Sequence, residues 1–344
     1  MRTRVARLYQ KGDLRVETAA VAAPGPGEVL LKMAAAGICG SDLHYYQDGG
    51  FGPVRVREPI IPGHEASGTV SQTGEGADVT AGTLVAVNPS QPCGHCEYCH
   101  VGMPIHCLEM RFMGSAMRLP HEQGMFREWL VVPAKQCFAV GVATTAAEAA
   151  CSEPLSVCLH AASRAGEITG KRVLVTGAGP IGALMVAVAS YHGASEIVVT
   201  DLADAALTRA KAMGASRTIN VSKNAQSLAE FEVGKGYFDL VFECSAAAPA
   251  IRGAIAAIRP RGTIVQVGVT GDVSIPLNAI VGKELQLHGT QRFHEEFGTA
   301  VELISSRKID VRPIISHSLP LEEATAAFTL AGDRSAACKV QLTF

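Results

Sequence analysis

Four of the ten cysteines lie within fifteen residues, with the spacing C-x2-C-x2-C-x7-C: Cys93, Cys96, Cys99 and Cys107. Four thiolates at such spacing can close a tetrahedral shell around zinc, which leaves no position open for a substrate. Free cysteines in a loop are the alternative. The sequence therefore predicts a structural zinc site, and the balance of Arg111 and Arg118 against Glu97 and Glu109 gives no basic face for DNA.

A second set of possible metal ligands is dispersed along the chain. It offers one thiol, one imidazole and two carboxylates: Cys39, His64, Glu65 and Glu153. Three protein ligands and a water molecule are typical of catalytic zinc. Residue types alone do not show that these side chains meet, because an isolated cysteine or histidine is usually part of the core.

A glycine-rich turn, Gly177-Ala-Gly-Pro-Ile-Gly182, contains the pattern G-x-G-x-x-G between an apolar run and a helical pattern. Gly177 permits a tight turn, Gly179 lets the backbone approach a pyrophosphate, and Gly182 lets helix and strand pack closely. Pro180 and Ile181 then open a helix whose N-terminus would face the phosphates. The pattern predicts a dinucleotide site.

Asp201 ends the next apolar run, 19 residues after Gly182. A carboxylate there accepts hydrogen bonds from the ribose hydroxyls of NAD and repels the 2′-phosphate of NADP. The prediction is therefore NAD rather than NADP. A structural glycine turn with a helix-capping aspartate is the alternative interpretation.

The surrounding elements divide the chain into two predicted domains. Residues 1–150 contain short strand patterns separated by Gly and Pro, which is typical of a compact β-rich barrel or sandwich. Residues 151–287 alternate apolar strands (172–176, 196–201, 239–243, 262–267) with helices (181–192, 203–213), which predicts a doubly wound parallel sheet. Residues 288–344 hold two further helices and a final strand at 339–344, and we expect them to return to the first domain. The predicted fold class is α/β.

Composition supports an ordinary globular protein. The 344 residues are enough for two domains, with 48% apolar and 18% charged residues. A net charge of −2 indicates neither nucleic acid nor an anionic membrane as a partner. No export signal is visible, so we expect a cytoplasmic protein, and the glycine turn interrupts the apolar stretch 173–190, which argues against a membrane span.

Together these segments resemble the medium-chain zinc dehydrogenases, in the sorbitol dehydrogenase branch. The resemblance covers the whole chain and includes Gly37-Ile-Cys-Gly-Ser-Asp42, Gly63-His-Glu-Ala-Ser-Gly68, the four-cysteine lobe, Glu153-Pro-Leu-Ser156 and the glycine turn, all in family order. It implies a GroES-like catalytic domain, a Rossmann domain, and a homotetramer or homodimer. It also implies one catalytic and one structural zinc per chain, with NAD-linked oxidation of a secondary alcohol on a polyol or sugar acid.

Site residues follow from the same resemblance. Cys39 and His64 bind the catalytic zinc, while the choice between Glu65 and Glu153 as the direct ligand stays open. Ser41 receives the alcohol proton, and His44 is a candidate relay because imidazole titrates near physiological pH; a surface or core histidine is the alternative. The backbone around Val267 and Val269 holds the nicotinamide carboxamide.

Substrate contacts are predicted at four side chains: Tyr45, Phe112, His121 and Arg292. Arg292 lies where the sorbitol branch has a polyol-binding arginine, and a carboxylate on the substrate would favour an arginine fork. His121 and Arg118 are further candidates for that carboxylate. For each of them, a solvated side chain is the alternative. A non-catalytic zinc and NAD binding protein is disfavoured, because a binder has no need of an open zinc site.

Overall fold

The computed structural model describes residues 1–224 and 228–344. The strands are β1 (Arg2–Gln10), β2 (Asp13–Ala20), β3 (Glu28–Gly37), β4 (Gly50–Phe51), β5 (Val54–Arg55), β6 (Glu65–Thr73), β7 (Leu84–Val87), β8 (Ser90–Gln91), β9 (Arg111–Phe112), β10 (Trp129–Pro133), β11 (Cys137–Ala139), β12 (Arg172–Thr176), β13 (Glu196–Asp201), β14 (Arg217–Asn220), β15 (Phe238–Glu243), β16 (Ile258–Gln266), β17 (Gln286–Gly289), β18 (Ile315–Pro320) and β19 (Lys339–Thr343). The α-helices are α1 (Gly40–Asp48), α2 (Glu97–His100), α3 (Ala146–Ala149), α4 (Ser152–Ala165), α5 (Pro180–Tyr191), α6 (Asp204–Ala212), α7 (Ala229–Glu232), α8 (Ala248–Ala257), α9 (Leu277–Lys283), α10 (Glu296–Ser305) and α11 (Ala324–Gly332).

A mixed sheet carries the first part of the chain. Its strands run in the order β11-β7-β6-β3-β19-β18, and β10 also pairs with β3. β19 lies antiparallel to β3, with Gln341 opposite Gly37. The expected return of the last strand to the first domain is therefore confirmed. A core that includes Leu31, Val70 and Phe328 fills one side of this sheet.

The second large sheet has six strands, in the order β14-β13-β12-β15-β16-β17, and every neighbouring pair is parallel. Alternate residues of β12 enter different cores, because side chains point to opposite faces of a sheet. Val173 packs in the core that contains Leu184 of α5, whereas Leu174 packs in the core that contains Ile251 of α8. Helices thus cover both faces, as the continuous apolar strands predicted.

The predicted limits of helices and strands agree closely with the observed ones where apolar periodicity is strong. β12 and β13 have the predicted bounds, and α5 and α6 each lie within one residue of theirs. β17 belongs to the parallel sheet and spans the predicted boundary at 287/288. The division into residues 1–150 with 288–344, and 151–287, stays a prediction. Within the described ranges no helix has both the length and the apolar character needed to cross a membrane.

Candidate active site

Two neighbouring strands of the mixed sheet bring three of the dispersed ligands together. β3 ends at Gly37, which lies opposite Glu65, the first residue of β6. Cys39 immediately precedes α1, and His64 immediately precedes β6. Donor atoms of Cys39, His64 and Glu65 all lie within 4.8 Å of one another. This convergence is the geometry that one metal ion requires of three ligands.

The chemistry of this trio fits zinc. Thiolate, imidazole and carboxylate are its usual protein ligands, and both His64 and Glu65 are buried. Burial, followed by the charge of Glu65, raises the pKa of the Cys39 thiol to about 12. A bound cation reverses that preference, because coordination deprotonates a thiol. A Cβ atom at residue 37 would overlap the Glu65 carboxylate, so a larger residue there would displace this ligand.

Glu153 lies near the trio but outside it. It occupies the first turn of α4 and is buried. Burial raises the pKa of Glu153 to about 8, and the neighbouring His64 opposes that rise. Among the described residues, the group of donor atoms within 4.8 Å contains Glu65 and not Glu153. The two glutamates therefore occupy different positions relative to the same thiol and imidazole.

Lys339, which the sequence reading did not single out, is the counter-charge of Glu65. Its Nζ lies 2.6 and 2.8 Å from the two Glu65 carboxylate oxygens, and both side chains are buried. It also donates to the carbonyl oxygen of Ile38 at 3.4 Å. Lys339 therefore fixes the Glu65 carboxylate from the side of β19, within an otherwise desolvated site.

Asp42 is a second residue that the sequence reading passed over. One carboxylate oxygen accepts the backbone N–H of Cys39 at 3.0 Å, and the other accepts that of Gly63 at 3.2 Å. The latter oxygen lies 3.8 Å from Nδ1 of His64. Asp42 stands three residues into α1, the position from which an acidic side chain caps the helix start. That spacing after Cys39 was the available clue to its role.

The structure brings the four cysteines of the lobe together. The sulfur atoms of Cys93, Cys96, Cys99 and Cys107 lie within 4.8 Å of one another. Cys96 Sγ is 3.5 Å from Cys99 Sγ, and the backbone N–H of Cys93 donates to Cys107 Sγ at 3.2 Å. Backbone N–H groups, that of Cys99 first, lower the pKa of Cys96 to about 6. Such a thiolate set suits a structural zinc.

An aromatic ring and a guanidinium group lie on one side of the metal ligands. The Phe112 ring centroid is 5.6 Å from that of His64, and the Arg292 guanidinium stacks 3.9 Å from the Phe112 centroid. Burial lowers the pKa of Arg292, an effect that the charge of Glu153 opposes. Arg292 has a positive φ of 47°, a conformation that side chains other than glycine seldom adopt. The guanidinium of Arg292 is therefore held against the Phe112 ring rather than extended into solvent.

Tyr45 lies beneath this group, and its hydroxyl accepts the backbone N–H of Ala116 at 3.1 Å. Burial raises the pKa of Tyr45, which keeps the hydroxyl protonated. Ser41 is half-buried two residues after Cys39, whereas His44 is exposed, with Nδ1 3.1 Å from the Asp48 carboxylate. Substrate contact by Tyr45 and proton transfer through Ser41 and His44 stay predictions.

The structure does not support direct substrate binding by His121. Its Nδ1 lies 2.6 Å from the carbonyl oxygen of Arg118, and its Nε2 accepts the backbone N–H of Arg57 at 2.9 Å. Both ring nitrogens are thus already engaged, and the ring is buried. The prediction of a carboxylate contact from His121 is corrected to a structural contact between two loop segments.

The glycine-rich turn joins β12 to α5 in the predicted geometry. Gly177 has a φ of +83°, and a Cβ at Gly182 would overlap the Gly177 carbonyl oxygen. Among the described residues other than its chain neighbours and the adjoining helix backbone, none has an atom within 4 Å of a Cβ built on Gly179, so this position is open to a ligand. Pro180 and Ile181 are the first residues of α5. The open backbone at a helix N-terminus suits a pyrophosphate.

Acidic side chains end β13 and β15, the two strands that flank β12, at the same edge of the parallel sheet. The Asp201 carboxylate accepts the N–H groups of Ala178 and Ala203, at 2.6 and 2.9 Å. Buried Glu243, which the sequence reading did not consider, accepts hydrogen bonds from Ser245 and Gln266. Val267 and exposed Val269 follow β16 at this edge, where open α/β sheets bind ligands.

Comparisons with known proteins agree with this geometry. Residues 25–142 match the family described as alcohol dehydrogenase GroES-like domain, and residues 180–306 match zinc-binding dehydrogenase. The chain is 40% identical to L-idonate 5-dehydrogenase (NAD(P)(+)) of Escherichia coli K12, over 92% of this chain and 91% of that protein. The chain belongs to the zinc-binding medium-chain dehydrogenases.

Two further similarities support the same assignment. Sorbitol dehydrogenase of Homo sapiens is 36% identical over 93% of this chain and 90% of its own length. The crystal structure of L-idonate 5-dehydrogenase from Escherichia coli K-12 superimposes with a TM-score of 0.96, at 37% identity, covering 100% of this chain and 99% of that one. These relatives confirm the predicted GroES-like and Rossmann architecture of a zinc-dependent, nicotinamide-linked oxidoreductase.

Proposed function

We propose that this protein oxidises the C5 hydroxyl of L-idonate to 5-ketogluconate, with catalytic zinc and NAD. The observation that carries the proposal is the convergence of Cys39, His64 and Glu65 beside Phe112 and Arg292. A relative of 40% identity that is named for this activity supports the substrate. A neutral polyol is the second candidate, because sorbitol dehydrogenases are 36% identical.

The metal-binding residues divide into direct and indirect ligands in this proposal. Cys39, His64 and Glu65 would hold zinc directly, since their donor atoms form the compact group. Glu153 would act through a water molecule or the substrate hydroxyl, because that group does not include it. The four cysteines of the lobe would hold a second, structural zinc.

The remaining side chains bind the substrate and carry its proton. Zinc at this site would supply a Lewis acid that lowers the pKa of the alcohol, and NAD would supply the hydride acceptor. Phe112 and Arg292 orient the carbon chain against the ligands. Ser41 accepts the hydroxyl proton and passes it towards exposed His44, which the Asp48 carboxylate faces at 3.1 Å. The proton path therefore ends at His44, an exposed side chain that can exchange protons with water.

The first experiment measures initial rates of NADH formation by zinc-loaded protein with L-idonate, sorbitol, xylitol and gluconate. We expect the highest kcat/KM with L-idonate. NAD should be preferred over NADP by about tenfold or more, because the 2′-phosphate of NADP meets the charge of Asp201. Equal or faster turnover of sorbitol would retain the chemistry and exclude the sugar-acid assignment.

We also propose a homo-oligomer that forms through β17. This strand is the edge of the parallel sheet, where β16 is its partner. Leu277 and Val281 of α9 are 65% and 76% exposed, and Leu287 of β17 is 48% exposed, which leaves an apolar surface beside an open edge. Light scattering after gel filtration should give two or four times the chain mass of 36.0 kDa; a monomer would contradict the proposal.

A cytoplasmic location is part of the same proposal. All ten cysteines are free thiols, including the four of the lobe. Thiols at this density persist in reducing compartments, where they hold metal rather than form disulfides.

A further inference from the structure

Three arginines line one surface pocket, and the sequence analysis predicted a role in substrate binding for only one of them, Arg118. The pocket encloses about 390 Å³, within the usual size of small-molecule sites. Its lining consists of Pro53, Val54, Arg55, Arg57, Ala116, Met117, Arg118 and Leu119. The lining contains three positive charges and no carboxylate, so its electrostatic potential favours an anion.

Among the residues that the structure describes, these guanidinium groups have no acidic partner. Arg55 Nη1 donates to the carbonyl oxygen of Val54 at 3.0 Å, and Arg118 Nη1 donates to that of Glu109 at 2.7 Å. In the part of the chain that the structure describes, Arg55, Arg57 and Arg118 form no salt bridge, unlike Arg111, which pairs with Glu122. Most of their donors therefore remain free for a ligand.

Buried His121 fixes the relative position of two of these arginines. Its Nδ1–H donates to the Arg118 carbonyl oxygen, and its Nε2 accepts the Arg57 N–H, so one neutral imidazole joins both backbone segments. Glu58 in turn accepts the backbone N–H of His121 at 2.5 Å. The arginines thus extend from an ordered frame, which lowers the entropy cost of binding an anion.

The pocket shares a wall with the substrate cleft. Met117 Sδ lies 3.1 Å from Nη2 of Arg292, whose guanidinium covers Phe112 beside His64. Ala116, which precedes Met117 in the same wall, donates its backbone N–H to the Tyr45 hydroxyl. For its carboxylate to reach the three arginines, a six-carbon chain whose C5 hydroxyl lies at the metal ligands has to extend past Arg292 along this wall.

We propose that Arg55, Arg57 and Arg118 form an anion site that binds the carboxylate of the sugar-acid substrate. The inference rests on the proposed function and names the part of the site that distinguishes a sugar acid from a neutral polyol. Planar guanidinium groups suit a carboxylate because they can donate two parallel hydrogen bonds to it. Sorbitol offers no charged group to these residues.

The test compares Arg57→Gln and Arg118→Gln with the wild type on two substrates. We expect each substitution to raise KM for L-idonate about tenfold, as for a lost charge-assisted hydrogen bond, with kcat changed less than about twofold. The rates with sorbitol should not change. Arg252→Gln is the matched control, because Arg252 is an exposed arginine on α8, in the parallel-sheet part of the chain.

The outcomes separate failure of this inference from failure of the proposed function. Wild-type protein that oxidises sorbitol but not L-idonate contradicts the proposed function. Wild-type preference for L-idonate, with KM unchanged in both pocket variants, overturns the anion site alone. An equal loss of sorbitol and L-idonate turnover also overturns it, because that result indicates a general disturbance of the cleft.

Inorganic phosphate distinguishes the substrate carboxylate from a free anion. In the wild type, phosphate should compete with L-idonate and not with sorbitol, and Arg57→Gln should weaken that competition about tenfold. Calorimetry then measures phosphate binding directly. If Arg57→Gln abolishes phosphate binding while KM for L-idonate stays constant, the pocket holds a separate anion, and the assignment to the substrate carboxylate is wrong.

Discussion

Replacement of Cys39 by serine is expected to lower kcat/KM for the secondary alcohol by about a thousandfold or more, because metal activation of a hydroxyl contributes several kcal/mol to catalysis. The thiol is the one sulfur ligand in the compact trio with His64 and Glu65. A serine hydroxyl remains protonated at neutral pH and is a poor zinc ligand. Elemental analysis should show loss of one zinc per chain, and initial rates should show the loss of turnover.

Cys99→Ser is the matched control for that experiment. Cys99 lies in the lobe, with its sulfur 3.5 Å from that of Cys96. This variant should also lose one zinc per chain. That loss should lower thermal stability rather than turnover, since a closed thiolate shell contributes to folding. If Cys39→Ser retains both zinc ions and its turnover, Cys39 is not a ligand of the catalytic metal.

Replacement of Lys339 by methionine is expected to cost about 3–5 kcal/mol in free energy of unfolding. Lys339 and Glu65 are both buried and lie 2.6 Å apart, so methionine would leave a desolvated carboxylate without its counter-charge. Methionine keeps the length of the side chain, which limits the contribution of a cavity. Urea denaturation in a Cys39→Ser background, which removes the catalytic zinc that would otherwise neutralise Glu65, measures the change.

Two control variants distinguish the effect of the unpaired Glu65 charge on stability from the effect of lost packing. Lys308→Met removes an exposed ion pair, in which Lys308 Nζ lies 3.9 Å from the Glu302 carboxylate. This variant should change the free energy of unfolding by less than about 0.5 kcal/mol. Glu65→Gln added to Lys339→Met should recover part of the loss, because the buried carboxylate is then absent. A loss no larger than that of Lys308→Met would contradict the inferred role of the pair.

Much of the fold could be predicted because its signals are local. Apolar runs such as 172–176 are long enough to specify buried parallel strands, and the glycine turn marks the start of α5. The metal trio was predictable only through family resemblance. Cys39 and His64 are 25 residues apart, and the pairing of β3 with β6 that brings them together depends on the whole mixed sheet.

The missed residues show which information the sequence lacks. Lys339 and Gln341 alternate with apolar neighbours, a pattern typical of a solvent-exposed face, yet both are buried. Their polar face contacts Glu65 and the carbonyl oxygen of Ala147 instead of water. His121 was misjudged for the opposite reason, because periodicity does not show that both ring nitrogens already have partners.

The pairing of β19 with β3 has a consequence for the order in which the protein assembles. Every strand of the parallel sheet is synthesised after β3 and before β19, so vectorial synthesis completes the parallel sheet while the mixed sheet still lacks an interior strand. The strands of the parallel sheet therefore have all their partners before the strands of the mixed sheet do. Glu65 receives its ammonium partner from β19 only at that late step.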